Sequence, residues 1–255
     1  MNAKPIDDYG SYLSGMDKSY MDKLFFMDKA EGIDNIFDYG CADGSILNHL
    51  HTVLPGMGLI GYDINPDMVR LSNDKTGVFA STDLEKCIKL INPERTLINL
   101  SSVIHEVYSY SKESEIERFW SVIFDTGFRY IAIRDLSLSR SADRSSDIND
   151  YIKVLRYGNQ DQIADFEDRW GSLQNNRALI HFLMKYRYMR NWDRENNENY
   201  FPITLEKLLS MIPTEKYEIV YFQNYVLPFT SDQVKKDFDI TIRDNTHIKI
   251  LLKRK

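Results

Sequence analysis

Cysteine and long apolar runs are both scarce in this sequence. Cys41 and Cys87 are the only two cysteines among 255 residues, which argues against a disulfide scaffold or a cysteine-rich metal site and suits a reducing compartment. No stretch approaches the roughly eighteen consecutive apolar residues of a membrane span. Residues 1–14 lack the basic start and apolar run of a secretory signal. We therefore expect a cytoplasmic protein that does not contact a membrane.

The sequence also lacks an excess of basic residues. Its formal net charge is −6, so there is no global basic surface for nucleic acid, although a local basic patch is compatible with an acidic chain. No internal repeat or low-complexity tract is present. An apolar fraction of 43% is that of a globular protein. The length fits one α/β domain with an insertion, so we predict a single domain over residues 1–255.

Apolar β-branched runs alternate with helical patterns between residues 35 and 133, as in consecutive βαβ units. The predicted strands are residues 35–39, 58–63, 78–81, 96–101 and 130–134, with helices between them. A helix at about residues 15–30 is expected to cover the sheet before the first strand. Two later strands, residues 218–227 and 246–253, are predicted to form a closing hairpin. The predicted fold class is α/β, a doubly wound, mainly parallel sheet with an antiparallel last strand.

The regular alternation stops after Asp135. A polar stretch at residues 137–146 is followed by helical segments that reach about Trp192. Ligands of open α/β sheets bind at the carboxyl ends of the strands, and a segment that follows the fifth strand lies next to the open side of that crevice. We therefore predict a helical insertion, acting as a lid, at about residues 137–200.

A glycine turn links the first predicted strand to the helix that follows it. The segment DYGCADG, residues 38–44, runs from the strand into that helix. Gly40 permits a tight turn and a close backbone approach to a ligand, and Gly44 allows the helix to pack against the sheet. An ordinary βα turn is the alternative. The G-x-x-x-G spacing suits a nucleoside better than the pyrophosphate of a dinucleotide, which usually requires G-x-G-x-x-G.

Together with Asp63, this turn resembles the cofactor motifs of the class I S-adenosylmethionine-dependent methyltransferases. The family pattern D-x-G-x-G-x-G is matched at Asp38, Gly40 and Gly44, with Ala42 in place of the middle glycine. Alanine is a small departure provided that this position does not need a positive φ. The resemblance implies S-adenosylmethionine as cofactor, with Asp38 near the methionine amino group and Gly40 along the methionine moiety. Asp63, at the end of the second strand, would accept hydrogen bonds from both ribose hydroxyls.

Three further residues receive cofactor roles from the same resemblance. Asp83 follows the third strand and matches the polar residue that faces the adenine amino group in family members. Ser101 and Ser102 end the fourth strand, beside the transferable methyl group. The resemblance implies that these two serines contact the methionine end of the cofactor.

The candidate catalytic residues are His105, Glu106 and Asp135, which follow the fourth and fifth strands. They lie at the edge where open α/β sheets bind ligands, and a base is needed only when the methyl acceptor must lose a proton. Each has a structural alternative. His105 can cap the next helix, Glu106 can be a helix-start carboxylate favoured by the helix dipole, and Asp135 can be a structural carboxylate stabilised by Arg134.

Basic and aromatic residues are interleaved in the insertion, at Arg177, Lys185, Tyr186, Arg187, Tyr188, Arg190, Trp192 and Arg194. This mixture is typical of phosphate contacts combined with base stacking, and a solvated basic face over a buried aromatic stripe is the alternative. RNA is therefore slightly favoured over a small metabolite as acceptor. The sequence lacks the tetrapeptide of DNA adenine methyltransferases and the Pro-Cys pair of 5-methylcytosine enzymes. It also lacks metal-ligand spacing such as HExxH, so no metal is predicted.

Two other functions are compatible with a sheet of this kind. A non-catalytic sensor or subunit that binds S-adenosylmethionine is the alternative to an enzyme, and the acceptor side discriminates between them, because a methyl group walled off from solvent cannot be transferred. A nicotinamide-dependent oxidoreductase is disfavoured by the glycine spacing. The acceptor, the methylated atom and the oligomeric state stay open.

Overall fold

A single seven-stranded sheet forms the centre of the computed structural model, which describes residues 20–255. Its strands are β1 (Asn35–Tyr39), β2 (Gly58–Tyr62), β3 (Phe79–Ser81), β4 (Thr96–Ser101), β5 (Tyr130–Leu136), β6 (Tyr217–Tyr225) and β7 (His247–Arg254). The spatial order is β3-β2-β1-β4-β5-β7-β6. Neighbours among β1 to β5 are parallel, whereas β7 is antiparallel to both β5 and β6. The predicted fold class is confirmed.

The helices of the described residues fall between and beyond these strands. They are α1 (Tyr20–Lys23), α2 (Ser45–Val53), α3 (Pro66–Thr76), α4 (Leu84–Lys89), α5 (Ile104–Tyr110), α6 (Glu113–Asp125), α7 (Ile148–Tyr157), α8 (Gln160–Trp170), α9 (Asn176–Lys185), α10 (Trp192–Asn197), α11 (Leu205–Met211) and α12 (Pro228–Phe238). Short 3₁₀ turns occur at Pro93–Arg95, Arg140–Ala142 and Met189–Asn191. None of these helices is long and apolar enough to cross a membrane.

Local sequence signals account for most of these boundaries. The side chain of Asn65 caps α3 and Pro66 occupies its first position, both residue types being common at these places. β2 ends at Tyr62, one residue earlier than expected, and β5 continues to Leu136 because its whole length pairs with β7. The covering helix expected at about residues 15–30 ends earlier than predicted. α1 ends at Lys23 and residues 24–29 continue as turns, while residues 15–19 lie outside the described part.

Alternate residues of the central strands pack on opposite faces of the sheet, as strand geometry requires. One face buries Phe37, Ile98 and Ile131 against α6, while the other buries Ile36 and Leu97 against α2 and the turns after α1. Full burial of an apolar side chain of this size contributes roughly 1.5–3 kcal/mol. Both faces of the central strands are therefore covered, which leaves the carboxyl ends of the parallel strands β1 to β5 as the edge where open α/β sheets bind ligands.

The segment between β5 and β6 has an apolar cluster of its own. Helices α7 to α10 bury Val154, Phe166, Phe182 and Trp192, and α12 adds Phe238 from beyond β6. These helices therefore pack on one another as well as on the sheet, which gives the insertion a defined shape beside the carboxyl ends of the strands.

Candidate functional site

The glycine turn after β1 has the backbone conformation that its sequence predicts. The amides of Gly40 and Cys41 both donate to the carbonyl of Tyr62, at 2.7 and 2.9 Å. Gly40 and Gly44 have φ of 79° and 75°, values that favour glycine. A Cβ on Gly44 would lie 2.3 Å from the hydroxyl of Ser72 in α3. Glycine at this position therefore lets α2 approach α3, and it fixes the direction of the turn.

Ala42 departs from the expectation for the turn. Alanine is a small departure from the motif only if this position does not need a positive φ, and Ala42 has φ of 47°. The expectation that position 42 needs no positive φ is therefore wrong, because the turn has the left-handed conformation at this residue. The amide of Ala42 is thereby directed to the carboxylate of Asp63, to which it donates at 2.8 Å.

Asp63 connects the glycine turn to the end of β2. Its Oδ2 accepts from the amide of Ala42 and its Oδ1 accepts from the amide of Asn65, each at 2.8 Å. Burial raises the pKa of Asp63, and these two backbone donors oppose that shift. Each carboxylate oxygen holds one backbone N–H and keeps a lone pair that can accept another donor. The structure thus brings together the two sequence features that were predicted to act jointly.

Asp38, Asn99 and Ser101 place unpaired polar atoms at the carboxyl ends of β1 and β4. Oδ1 of Asp38 accepts from Nδ2 of Asn99 at 2.7 Å. Oδ2 of Asp38, Oδ1 of Asn99 and Oγ of Ser101 are buried and have no hydrogen-bond partner within the described residues. Burial raises the pKa of Asp38 to about 6. Asn99 is a site residue that the sequence argument missed, although it lies opposite Asp38 in the β1–β4 register.

Lys23 is a second residue that the sequence argument missed. Its side chain is buried, and that burial lowers its pKa to about 8 while the charge of Asp38 opposes the shift. Next to it, Asp22 binds Arg134 at 2.8 Å and Lys249 at 2.6 Å, which ties α1 to β5 and β7. The sequence signal is faint: a single lysine directly before the apolar residues 24–26.

The hydroxyl of Ser102, unlike that of Ser101, has a protein partner. It accepts from Nη1 of Arg134 at 2.9 Å, and the backbone of Ser102 has φ of 60°. Ser102 therefore shapes the end of β4, and Ser101 is the serine whose Oγ is left unpaired in the crevice.

Asp83 lies at the entrance to α4. Its Oδ1 caps this helix by accepting from the amide of Lys86 at 3.0 Å. It also lines a cavity of about 450 Å³ between the ends of β1 to β3 and α6, together with Tyr39, Tyr62, Thr82, Leu84, Glu85, Glu115, Arg118, Phe119 and Val122. The predicted adenine residue is thus beside a cavity with aromatic walls.

His105 and Asp135 form a buried pair on the other side of the crevice. Nδ1 of His105 lies 2.6 Å from Oδ1 of Asp135, whose Oδ2 accepts from the amide of Ile104 at 2.7 Å. Burial alone would lower the pKa of His105, but the Asp135 carboxylate outweighs it and the pKa is raised to about 9. Arg134 forms its ion pair with Asp22, and its charge also interacts favourably with Asp135, whose hydrogen bonds go to His105 and to the amide of Ile104.

Glu198, from the far end of the insertion, completes this side of the crevice. Its Oε2 lies 3.9 Å from Nε2 of His105, and its Oε1 lies 3.0 Å from Arg194. Arg194 also reaches Oε1 of Glu106 at 3.4 Å. Burial, and then the charge of Glu198, raise the pKa of Glu106. The i,i+4 spacing of Arg194 and Glu198 is a local signal for this ion pair, but no local pattern predicts that Glu198 meets His105 in α5.

Two of the basic residues predicted to lie on the surface of the insertion are buried instead. Lys185 is fully buried and donates to the backbone carbonyls of Glu195 and Glu198, both at 2.7 Å. Arg194 and Trp192 are buried as well. Of the predicted cations, Arg187 and Arg190 are exposed, and Arg187 lies 4.0 Å from Asp237. The basic residues therefore divide into two groups: Lys185 and Arg194 hold the insertion together, whereas Arg187 and Arg190 face solvent.

Comparisons with known proteins give matches in structure. No family model matches the chain, and no curated protein matches its sequence. A SAM-dependent methyltransferase from Archaeoglobus fulgidus superposes with a TM-score of 0.52 at 13% identity, covering 96% of this chain and 100% of that one. A methyltransferase from Mesorhizobium loti gives 0.52 at 12% identity, covering 94% and 100%. The pyocyanin biosynthetic protein PhzM gives 0.54 at 9% identity, covering 96% of this chain and 57% of PhzM.

Sequence identities this low establish a likeness of fold. The strand order, the antiparallel β7 and the positive-φ glycine turn after β1 agree with that likeness. The chain therefore has the fold of the class I S-adenosylmethionine-dependent methyltransferases.

Proposed function

We propose that this protein is an S-adenosylmethionine-dependent methyltransferase. The observation that supports this most directly is the group of unpaired buried atoms on Asp38, Asn99 and Ser101. A buried polar atom left without a partner costs about 1–3 kcal/mol, so three at one point indicate a polar ligand. An ammonium group carries three N–H donors. The methionine end of the cofactor fits these acceptors.

Lys23 provides the complementary charge for the same end of the ligand. It lies close enough to Asp38 for each charge to influence the pKa of the other. An amino acid moiety carries an ammonium and a carboxylate on the same carbon. We therefore assign the ammonium to Asp38 and the carboxylate to Lys23.

Asp63 and Asp83 would hold the nucleoside end. Asp63 retains acceptor capacity beyond its two backbone bonds and lies at the end of β2, where a ribose would rest. The cavity beside Asp83, with the rings of Tyr39, Tyr62 and Phe119 in its wall, is large enough for a purine. A Cβ on Gly40 would lie 3.0 Å from the side chain of Val103, so glycine at this position lets the turn pack closely against the end of β4.

Residues 137–200 and the β4–β5 side of the crevice would receive the acceptor. When bound, S-adenosylmethionine supplies an electrophilic methyl carbon, and the protein adds positioning of the acceptor. Asp135 holds Nδ1 of His105, so that Nε2 faces Glu198 on the acceptor side. A small metabolite fits this site better than RNA, because Lys185 and Arg194 are buried inside the insertion and do not present charges to a phosphate backbone.

Isothermal titration calorimetry with S-adenosylmethionine and its demethylated product tests cofactor binding. Asp63→Ala removes the ribose acceptor and should weaken both ligands at least tenfold. Asp67→Ala is the matched control: Asp67 is an exposed carboxylate in the first turn of α3, paired with Arg70 at 3.2 Å, and its loss should leave both affinities unchanged. Equal affinities of Asp63→Ala and wild type would show that Asp63 does not bind the ribose.

Incubation with methyl-labelled S-adenosylmethionine and separated RNA, protein and small-molecule pools tests whether the protein transfers the methyl group. Label in the small-molecule pool is the expected result, and label in RNA would reverse our assignment of the acceptor. Tight cofactor binding without transfer to any pool would favour a sensor or subunit.

A further inference from the structure

The residues of α5 and the insertion that meet in the crevice include a possible set of metal ligands. His105, Glu106 and Glu198 each offer one ligand atom, and these three atoms lie within 4.8 Å of one another. Two of the residues follow β4 directly, whereas Glu198 comes from beyond α10. The insertion is therefore needed to complete the set.

The orientation of His105 favours a ligand at its Nε2. Asp135 lies 2.6 Å from Nδ1, and carboxylates at this position fix the ring and its tautomer in many metal sites. Nε2 lies 3.9 Å from Oε2 of Glu198, too far for a hydrogen bond and near the roughly 3.4 Å that separates two ligands of a tetrahedral zinc ion. His105 is 6% exposed, and no described residue hydrogen-bonds to Nε2.

The balance of charge in the cluster leaves room for a divalent cation. Glu106, Asp135 and Glu198 contribute three carboxylates, and Arg194 contributes one guanidinium. Arg194 lies against Oε1 of Glu198, which leaves Oε2 facing His105. A protonated His105 would supply one of the two missing positive charges. A divalent ion bound to neutral His105 would supply both.

Lys185 leaves the net charge of this cluster unchanged, because the carboxylate of Glu195 offsets the positive charge of its ammonium group. Its ammonium donates to the backbone carbonyls of Glu195 and Glu198, and a fourth carboxylate, that of Glu195, lies nearby and accepts from the hydroxyl of Tyr200. Buried like-charged carboxylates repel one another in a site of low dielectric, and a shared cation relieves that repulsion.

We propose that His105, Glu106 and Glu198 bind a divalent first-row transition metal such as Zn²⁺ or Mn²⁺. One imidazole and two carboxylates favour these ions over Mg²⁺, which prefers oxygen ligands and water. Three protein ligands leave a coordination position open toward the crevice, the arrangement of a catalytic rather than a structural metal site. The use of the metal to orient an acceptor rests on the proposed methyltransferase function, whereas metal binding itself does not.

The test is metal binding to the full-length protein after treatment with a chelator. Calorimetry with ZnCl₂, MnCl₂ and MgCl₂ should give one site, tighter for Zn²⁺ and Mn²⁺ than for Mg²⁺, and CoCl₂ should produce visible absorption bands. His105→Gln and Glu198→Gln should each weaken Zn²⁺ at least 100-fold. Asp135→Asn, which removes the carboxylate behind the ligand, should weaken it 10–100-fold.

Glu195→Gln is the matched control, because Glu195 is a buried carboxylate of the same segment that is not in the proposed ligand set. Its Zn²⁺ affinity should change less than tenfold, because this variant removes a nearby charge but no ligand atom. Circular dichroism identifies any variant that fails to fold. Glu106→Gln gives a further ligand variant that does not disturb the buried Glu198. No saturable binding by wild type, or unchanged binding by His105→Gln and Glu106→Gln, would overturn the metal site.

The same measurements separate this inference from the proposed function. Asp63→Ala should lose affinity for S-adenosylmethionine and retain Zn²⁺ binding. A wild-type protein that binds Zn²⁺ at this site and fails to bind S-adenosylmethionine would refute the methyltransferase proposal and leave the metal site standing.

Discussion

The left-handed conformation of Ala42 lowers the stability of the turn that contains the resemblance to the cofactor motif. A non-glycine residue in this region loses roughly 1–2 kcal/mol relative to the right-handed conformation. The turn retains this conformation because the amide of Ala42 then donates to Asp63. The conformation that directs the amide of Ala42 to Asp63 is therefore the same one that lowers folding stability.

Ala42→Gly should stabilise the protein by roughly 0.5–1 kcal/mol, because the free energy gained by relieving the strain exceeds the entropic cost of ordering a more flexible unfolded chain. The measurement is the free energy of unfolding from urea denaturation. Ala178→Gly in α9 is the control: this position is helical, so the substitution should destabilise by about 1 kcal/mol. A loss of stability in Ala42→Gly would contradict the assignment of strain.

If Asp38 binds the ammonium group as proposed, the affinity for the cofactor should depend on pH. Burial raises its pKa to about 6, and the proposed contact to an ammonium requires the ionised carboxylate. The folded protein without ligand therefore holds a proton on Asp38 below this value, and the affinity for S-adenosylmethionine should fall roughly tenfold for each pH unit below 6.

Calorimetric titrations between pH 5 and 8 would measure this dependence. Affinity should be highest near pH 7, where Asp38 is ionised and Lys23, with a pKa of about 8, is still mostly protonated. Asp38→Asn should bind weakly at every pH and lose the dependence near 6. A wild-type affinity that is flat across this range would show that Asp38 does not hold the ammonium.

At the scale of elements, the sequence predicts the βαβ half better than the insertion. The strands of the first half are defined by apolar runs and turns that are local in sequence, and their boundaries agree within one or two residues. Glu198, Lys23 and Asn99 could not be assigned in this way. Their roles arise from contacts between distant segments, as when Glu198 meets His105, and no spacing rule describes such contacts.

The cap of α4 allows two roles of Asp83 to be separated. Its carboxylate accepts from the amide of Lys86, so Asp83→Ala should lose about 1 kcal/mol of stability through the lost cap. Asp83→Ser retains a capping oxygen on a shorter side chain and should preserve most of that stability. Urea denaturation measures the first effect, and calorimetry with S-adenosylmethionine measures the second.

If Asp83 also contacts adenine, both variants should bind the cofactor more weakly, since the serine hydroxyl cannot reach as far. If Asp83→Ser binds as well as wild type, Asp83 acts as a helix cap and the adenine assignment is wrong.

For the molecule as a whole, the sheet ends at an edge strand that exposes apolar side chains among the described residues. β6 is the outer strand of the sheet order, and Ile219, Val220 and Phe222 are exposed on it. Glu218 is its only charged residue. Natural edge strands usually carry lysine, proline or a cover that prevents pairing with another chain. We therefore expect concentration-dependent association through β6.

Phe222→Lys should shift the sedimentation coefficient toward that of a single chain, as measured by analytical ultracentrifugation over a range of concentrations. Ile148→Lys is the control, because Ile148 is also an exposed apolar residue but lies in α7, away from the edge. Identical association of wild type and Phe222→Lys would exclude β6 as the contact.

The attachment of α1 to the sheet has a consequence for the order of events during synthesis. Asp22 precedes every strand, yet its partners are Arg134 in β5, Tyr225 in β6 and Lys249 in β7. A nascent chain that has emerged from the ribosome only as far as β4 can form the glycine turn but cannot anchor the neighbouring Lys23. Cofactor capture should therefore wait until β7 has left the ribosome.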